Sequence, residues 1–120
     1  MPQSYSNVAL HIIFSTKSHI PHLSNRETRT QLHAYLAGTC KAIGCPPILV
    51  GGWFDHVHIL CFLARTKTIS DLIKDLKIES SKWMKTKGPT QKDFAWQTGY
   101  AVYEVSDSLK DAVFEYIMNQ

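Results

Sequence analysis

Two pairs of residues in this 120-residue chain have the types and the spacing to do chemistry. His56 and His58 flank Val57 at the start of an apolar run that continues through Leu63. The run reads as a β-strand, and strand side chains alternate faces, so both imidazoles point to one side. Two imidazoles on one rigid face can hold a single divalent metal ion through one ring nitrogen each. Asp55, just before them, is placed to orient a ring from behind. The second pair is Tyr116 and Gln120, four residues apart and so stacked on one face of a helix. A tyrosine oxygen can act as a covalent nucleophile. A glutamine carbonyl is a hard oxygen ligand for a divalent ion. Each pair alone also fits a plainer reading: two polar positions on an exposed strand face, and a tyrosine packed in an apolar helix stripe.

The elements that must position these residues follow from periodicity. Val8 to Phe14 alternates and is β-branched, which predicts a first strand with Val8, Leu10, Ile12 and Phe14 toward the core and His11 on the other side. Such a histidine is by default satisfied or exposed. Residues 17–23 form a loop whose His19 and His22 have no partner at ligand spacing. Ser24-x-x-Glu27 is a capping-box pattern opening a helix that Gly44 closes. Ile48-Leu49-Val50 is a short second strand, and Gly51-Gly52 lets the backbone turn sharply toward the histidine strand. Thr68-x-x-Asp71 opens a second helix with Leu72, Ile73, Leu76, Ser80, Trp83 and Met84 on its apolar stripe. Residues 88–99 are a loop. Tyr100 to Val105 is a fourth strand. Ser106-Asp107-Ser108 caps a last helix, with Asp107 placed for the helix dipole. On that helix Tyr116 extends an apolar stripe through Ile117, and Phe114 and Met118 are read as packing. The order β-α-β-β-α-β-α predicts an α+β fold: a ferredoxin-like split βαβ antiparallel sheet with an added C-terminal helix carrying the tyrosine.

Length and composition bound the rest. The chain reads as one domain over 1–120, with 44% hydrophobic and 19% charged residues, ordinary for a soluble protein. No apolar run approaches the ~20 residues of a membrane span, and Met1 to Asn7 has no signal-like pattern. A cytoplasmic protein without a membrane partner is expected. Cys40, Cys45 and Cys61 are an odd number without CxxC spacing, so they read as reduced thiols, with Cys45 the one that could be partly exposed. Net charge is only +3, but residues 65–92 hold eight basic and three acidic residues, hence +5 against −2 elsewhere. Such a patch suits a phosphate backbone, and equally a solvated lysine-rich helix face.

Several stretches in order carry a resemblance. They are Leu10-His11-Ile12-Ile13-Phe14-Ser15-Thr16-Lys17, Gly51-Gly52 with Asp55-His56-Val57-His58-Ile59-Leu60, and Asp75-Leu76-Lys77-x-x-Ser80-Ser81. Phe94-x-Trp96-Gln97-x-Gly99-Tyr100, Val105-Ser106 and Tyr116-Ile117-x-Asn119-Gln120 follow. With them the chain resembles the single-tyrosine HUH transposases of the insertion-sequence-200/605 type, which include the REP-associated tyrosine transposases. The resemblance implies that His56, His58 and Gln120 hold Mg2+ or Mn2+ and that Tyr116 attacks a DNA phosphodiester, giving a 5′-phosphotyrosine intermediate. It implies a substrate of single-stranded DNA with hairpin ends. It also implies a homodimer, whose active site can be shared between subunits. Arg65, Lys74, Lys77, Lys82 and Lys85 would contact DNA phosphates, and Phe94, Trp96 or Tyr103 could stack on a base, though packing suits most of them better. Family members usually continue beyond the tyrosine helix, whereas Gln120 is the last residue here.

Three other readings compete. One is a domesticated relative that processes repeated hairpins by the same chemistry. Another is a non-catalytic nucleic-acid-binding module, against which the joint presence of His56, His58, Tyr116 and Gln120 speaks. The third is a small metal-binding or interaction protein.

Overall fold

A computed structural model describes residues 5–120, with side chains from Val8 onward. Met1 to Ser4, part of the N-terminal segment read above as lacking a signal, lie outside the described residues. Four strands, β1 (Tyr5–Ser15), β2 (Pro47–Gly52), β3 (His56–Ala64) and β4 (Ala101–Val105), and three helices, α1 (Arg26–Ala42), α2 (Ile69–Met84) and α3 (Lys110–Met118), alternate as the hydrophobic periods predict. The sheet is antiparallel with order β2-β3-β1-β4, the ferredoxin-like arrangement with α3 added.

Strand alternation divides the molecule. Leu10, Ile12 and Phe14 of β1 and Val57, Ile59 and Cys61 of β3 join Leu32 and Leu36 of α1 and Leu72, Ile73 and Leu76 of α2 in one dry core. The alternate residues face the other way. There Ala9, Leu60 and Val105 meet Ile117 of α3 in a smaller cluster. The three cysteines are free and buried, Cys45 included; its thiol accepts from the amide of Ala64 at 3.3 Å. Among the described residues no helix is long and apolar enough to cross a membrane.

Helix ends depart from the sequence reading by a few residues. Asn25, not Ser24, caps α1: its side chain accepts from Thr28 N at 2.9 Å, while Ser24 Oγ donates to the Pro21 carbonyl. Thr68 caps α2 as its motif predicts, accepting from Asp71 N at 3.1 Å. The Asp107 region forms a 3-10 turn over Asp107–Leu109, and α3 begins only at Lys110 with no side-chain cap. Helix α3 closes at Met118, so Gln120 lies just past it, and Met118 is exposed instead of packed. The loop expected over 17–23 contains a 3-10 turn at Lys17–His19.

Candidate active site

The histidine strand β3 enters the sheet through a three-residue turn, Trp53-Phe54-Asp55. At Gly52 (φ 149°) a Cβ would stand 2.3 Å from the carbonyl oxygen of His56, so only glycine fits there. Gly51 has a different function. It pairs with His58 across the β2–β3 ladder, and a Cβ on it would lie 2.8 Å from Cγ2 of Ile117. The missing side chain lets α3 settle directly on β2, and that seating places the end of α3 over the histidines.

The two imidazoles differ in environment. His58 is buried at 3% exposure, and its Nδ1 lies 2.9 Å from Nε2 of His11. His11 and His58 are diagonal neighbours on adjacent strands, with rings stacked at 5.1 Å and 25°. Burial first, then the neighbouring His56 and His11, push the pKa of His58 down to about 4. Burial also lowers that of His11. Both are therefore neutral at pH 7, and a neutral pair can share one proton across the contact. His56 is half-buried, and its Nδ1 lies 2.9 Å from Oδ1 of Asp55. That carboxyl is held below the usual carboxylate range, chiefly by its hydrogen bond to His56. Because a carboxylate only accepts, the His56 proton sits on Nδ1.

In both rings, then, Nδ1 is engaged. The ring centroids are 5.0 Å apart at 78°. Gln120 lies close enough to His58 to favour the protonated ring, opposing burial, and its Nε2 donates to the Tyr116 carbonyl at 3.2 Å. Among the described residues no three His, Cys, Asp or Glu side chains have metal-holding spacing. Two imidazole Nε2 atoms and an amide oxygen nevertheless form a donor set that fits a divalent cation, with the other ring nitrogens already fixed.

Tyr116 stands beside this set. Its ring lies edge-on to His58 at 5.7 Å and to His11 at 6.4 Å, and the residue is 56% exposed. Of the two readings open for Tyr116 on its apolar stripe, packing and chemistry, the exposed position beside the imidazoles leaves the ring free for the second, while Ile117 is buried. Within one chain, the structure thus brings together His56, His58, Asp55, Tyr116 and Gln120.

It adds two histidines that spacing did not reveal. His11 is the partner of His58. His19 Nδ1 lies 3.5 Å from the second oxygen of Asp55, opposite His56. Ser18 (φ 57°) and His19 (φ 55°) are both left-handed, a conformation that disfavours L side chains. The turn is held by Ser18 N donating to Oε1 of Gln97 at 3.1 Å and by Thr16 Oγ1 donating to the Ile20 carbonyl at 2.7 Å. His22 also has a partner, Gln91 Oε1 at 3.0 Å. The β1 alternation could have flagged His11, which shares the non-core face; nothing local marks His19.

The basic residues lie elsewhere. Lys74, Lys82 and Lys85 are exposed along α2, in the layer on the opposite face of the sheet, and Arg65 follows the far end of β3. Lys77 is turned inward: its Nζ donates to the carbonyls of Gln97 and Gly99 at 2.8 and 2.7 Å, and burial lowers its pKa. Lys82 and Lys85 border a cavity of about 460 Å³ with Ser81, Trp96 and Gln97. Phe94 and Trp96 pack against each other and Trp96 against Phe14, whereas Tyr103 is 58% exposed beside His11.

No curated protein matches the sequence. Solved structures do. A crystal structure described as a transposase from Deinococcus radiodurans R1 superposes with a TM-score of 0.74 at 25% identity, covering 100% of this chain and 96% of that one. A REP-associated tyrosine transposase bound to a REP hairpin superposes with a TM-score of 0.64 at 13% identity, covering 98% and 68%, a likeness of fold. The family described as "Transposase IS200 like" matches residues 4–120, and by that match the chain belongs to the IS200-like transposases.

Proposed function

We propose that this transposase nicks and rejoins single-stranded DNA at hairpin ends through a phosphotyrosine at Tyr116. The observation that carries the reading is the exposed Tyr116 ring edge-on to His58, one of two imidazoles whose Nδ1 atoms are both engaged. His56 and His58, with the Gln120 amide oxygen, would hold Mg2+ or Mn2+. When bound, the ion would supply Lewis-acid stabilisation of charge developing on the scissile phosphate.

The chain's own groups do the rest. Asp55 and His11 fix the two rings from behind. Tyr116 Oη attacks phosphorus and loses its proton to water. The P–O3′ bond breaks, and the leaving oxygen takes up a proton to become a free 3′-hydroxyl. A 5′-phosphotyrosine remains. Attack by that 3′-hydroxyl, or by one from another end, reverses the step and releases the tyrosine, so joining needs no external energy source.

Lys74, Lys82 and Lys85 form a stripe at helical spacing that suits the phosphates of a hairpin stem, and Arg65 extends it. Lys77 would act by holding the 97–99 loop. The REP-associated relative bound to a hairpin supports a hairpin substrate. A homodimer and a cytoplasmic location complete the proposal.

The test uses a labelled single-stranded hairpin from the DNA flanking this coding sequence, incubated with the protein and Mn2+. A covalent protein–DNA band that disappears with Tyr116→Phe and with chelator is the expected result. Metal-independent binding with no covalent band would overturn the catalytic reading.

A further inference from the structure

A second feature adjoins the histidines on the outer side of Gln120. The hairpin turn carries Trp53 and Phe54, 44% and 37% exposed, with rings stacked at 4.3 Å and 12°. Arg29 of α1 lies over both rings at 5.3 Å. Its Nη1 is anchored to the carbonyls of Leu23 and Ser24 at 2.8 and 3.2 Å, so the guanidinium is held in place. Beside this stack a cavity of about 210 Å³ opens along edge strand β2, lined by Arg29, His33, Trp53, Met118 and Gln120.

His33 is the telling residue. Its Nε2 is buried and has no hydrogen-bond partner among the described residues. A buried polar atom without a partner is rare in a folded protein, and because His33 lines this cavity, a small shift of the lining would bring Nε2 to a group seated there. Burial, reinforced by Arg29, keeps this imidazole neutral, with a pKa of about 4. A neutral ring can donate or accept according to tautomer, and so can meet either kind of edge group.

We propose that this cavity is a base-reading pocket: it takes one unpaired nucleobase of a DNA strand crossing the histidine site, with Trp53 as the stacking face and His33 and Arg29 as hydrogen-bonding groups. A base is the ligand that uses all the parts. It has a flat π-face for the indole, edge donors and acceptors for a neutral imidazole, and a neighbouring phosphate for the guanidinium. Trp53 is also close enough: its amide donates to the His56 carbonyl at 3.0 Å, so a strand at the metal-binding edge reaches the pocket within about a nucleotide or two.

The inference rests on the proposed function, and its test separates the two. Binding of the flanking hairpin is measured by fluorescence anisotropy in EDTA, where no cleavage occurs. Each unpaired position is replaced in turn by an abasic site. One position next to the cleavage point should lose on the order of tenfold in affinity in the wild type and nothing further in Trp53→Ala. Trp53→Phe, which keeps a ring, should retain most of the binding. His33→Phe should weaken the same position without changing the others. Equal abasic losses in wild type and Trp53→Ala at every position would overturn the pocket. If the wild type still forms the Tyr116 adduct in Mn2+, the pocket alone falls. If it neither binds the hairpin nor forms the adduct, both readings fall together.

Discussion

The two faces of the sheet are built from alternate residues of the same strands and behave differently. On the face under α1 and α2, Ile12, Val57, Ile59 and Cys61 are completely buried in a large hydrophobic cluster. On the other face His11, His58 and Leu60 occupy the intervening positions, and the single short helix α3 covers only part of them. One face holds the fold together. The other tolerates a buried polar pair and an exposed tyrosine because the first supplies the stability. In a sheet this small, period-2 alternation alone suffices to separate the core from the face carrying the histidines.

Substitutions on each face and at the border between them separate the two roles. On the dry face, Phe14→Ala should destabilise by about 3–5 kcal/mol, read by denaturant unfolding, since it leaves a cavity among α2, Trp96 and β1. At the border, Gly51→Val should push α3 off β2 through the contact with Ile117. A loss of about 1–3 kcal/mol is expected, together with weaker Mn2+ binding by titration calorimetry, because the helix end carries Tyr116 and Gln120 with it. His11→Ala leaves Nδ1 of His58 without its partner. It should lower Mn2+ affinity by roughly 10–100-fold with a stability loss of about 1–3 kcal/mol.

Acid should act on the same buried groups. His58 and His33 have folded pKa values of about 4, below the ordinary histidine value. Between those values the unfolded chain binds more protons than the folded one, so their contribution is complete above pH 6.5 and is lost as pH falls toward 4. Unfolding curves over that window should show stability declining, and less so in a His33→Gln variant. The smallest stability effect is expected from His56→Ala. This half-buried ring should change folding by less than about 1 kcal/mol yet remove most Mn2+ binding, which would separate the two functions of the face.

Much of this was legible in the sequence. The alternation in β1 assigned Leu10, Ile12 and Phe14 to the core and set His11 apart from them. His-x-His had to share a face, and Gly51-Gly52 had to mark the turn. What local spacing could not give was long-range register. His11 meets His58 only because β1 pairs with β3 so that Ile13 lies opposite His58. His19 reaches Asp55 only through two left-handed residues braced by Gln97, far away in sequence. Tyr116 extends an apolar stripe, so periodicity alone left packing open for it. The seating of α3 over Gly51, visible only in three dimensions, turns it outward. The lysines show the same limit: spacing placed Lys77 with the other basic residues, but its ammonium holds two loop carbonyls.

The proposed mechanism assigns the covalent DNA link to Tyr116 and not to another exposed tyrosine. Tyr103 is the natural control, since its ring lies 6.1 Å from that of His11 and is equally exposed. The direct measurement is to form the covalent complex with the flanking hairpin in Mn2+, digest the DNA and the protein, and map the modified peptide by mass spectrometry. The expected result is a phosphonucleotide on the peptide containing Tyr116 and an unmodified Tyr103. A modified Tyr103, or a complex that survives Tyr116→Phe, would contradict it.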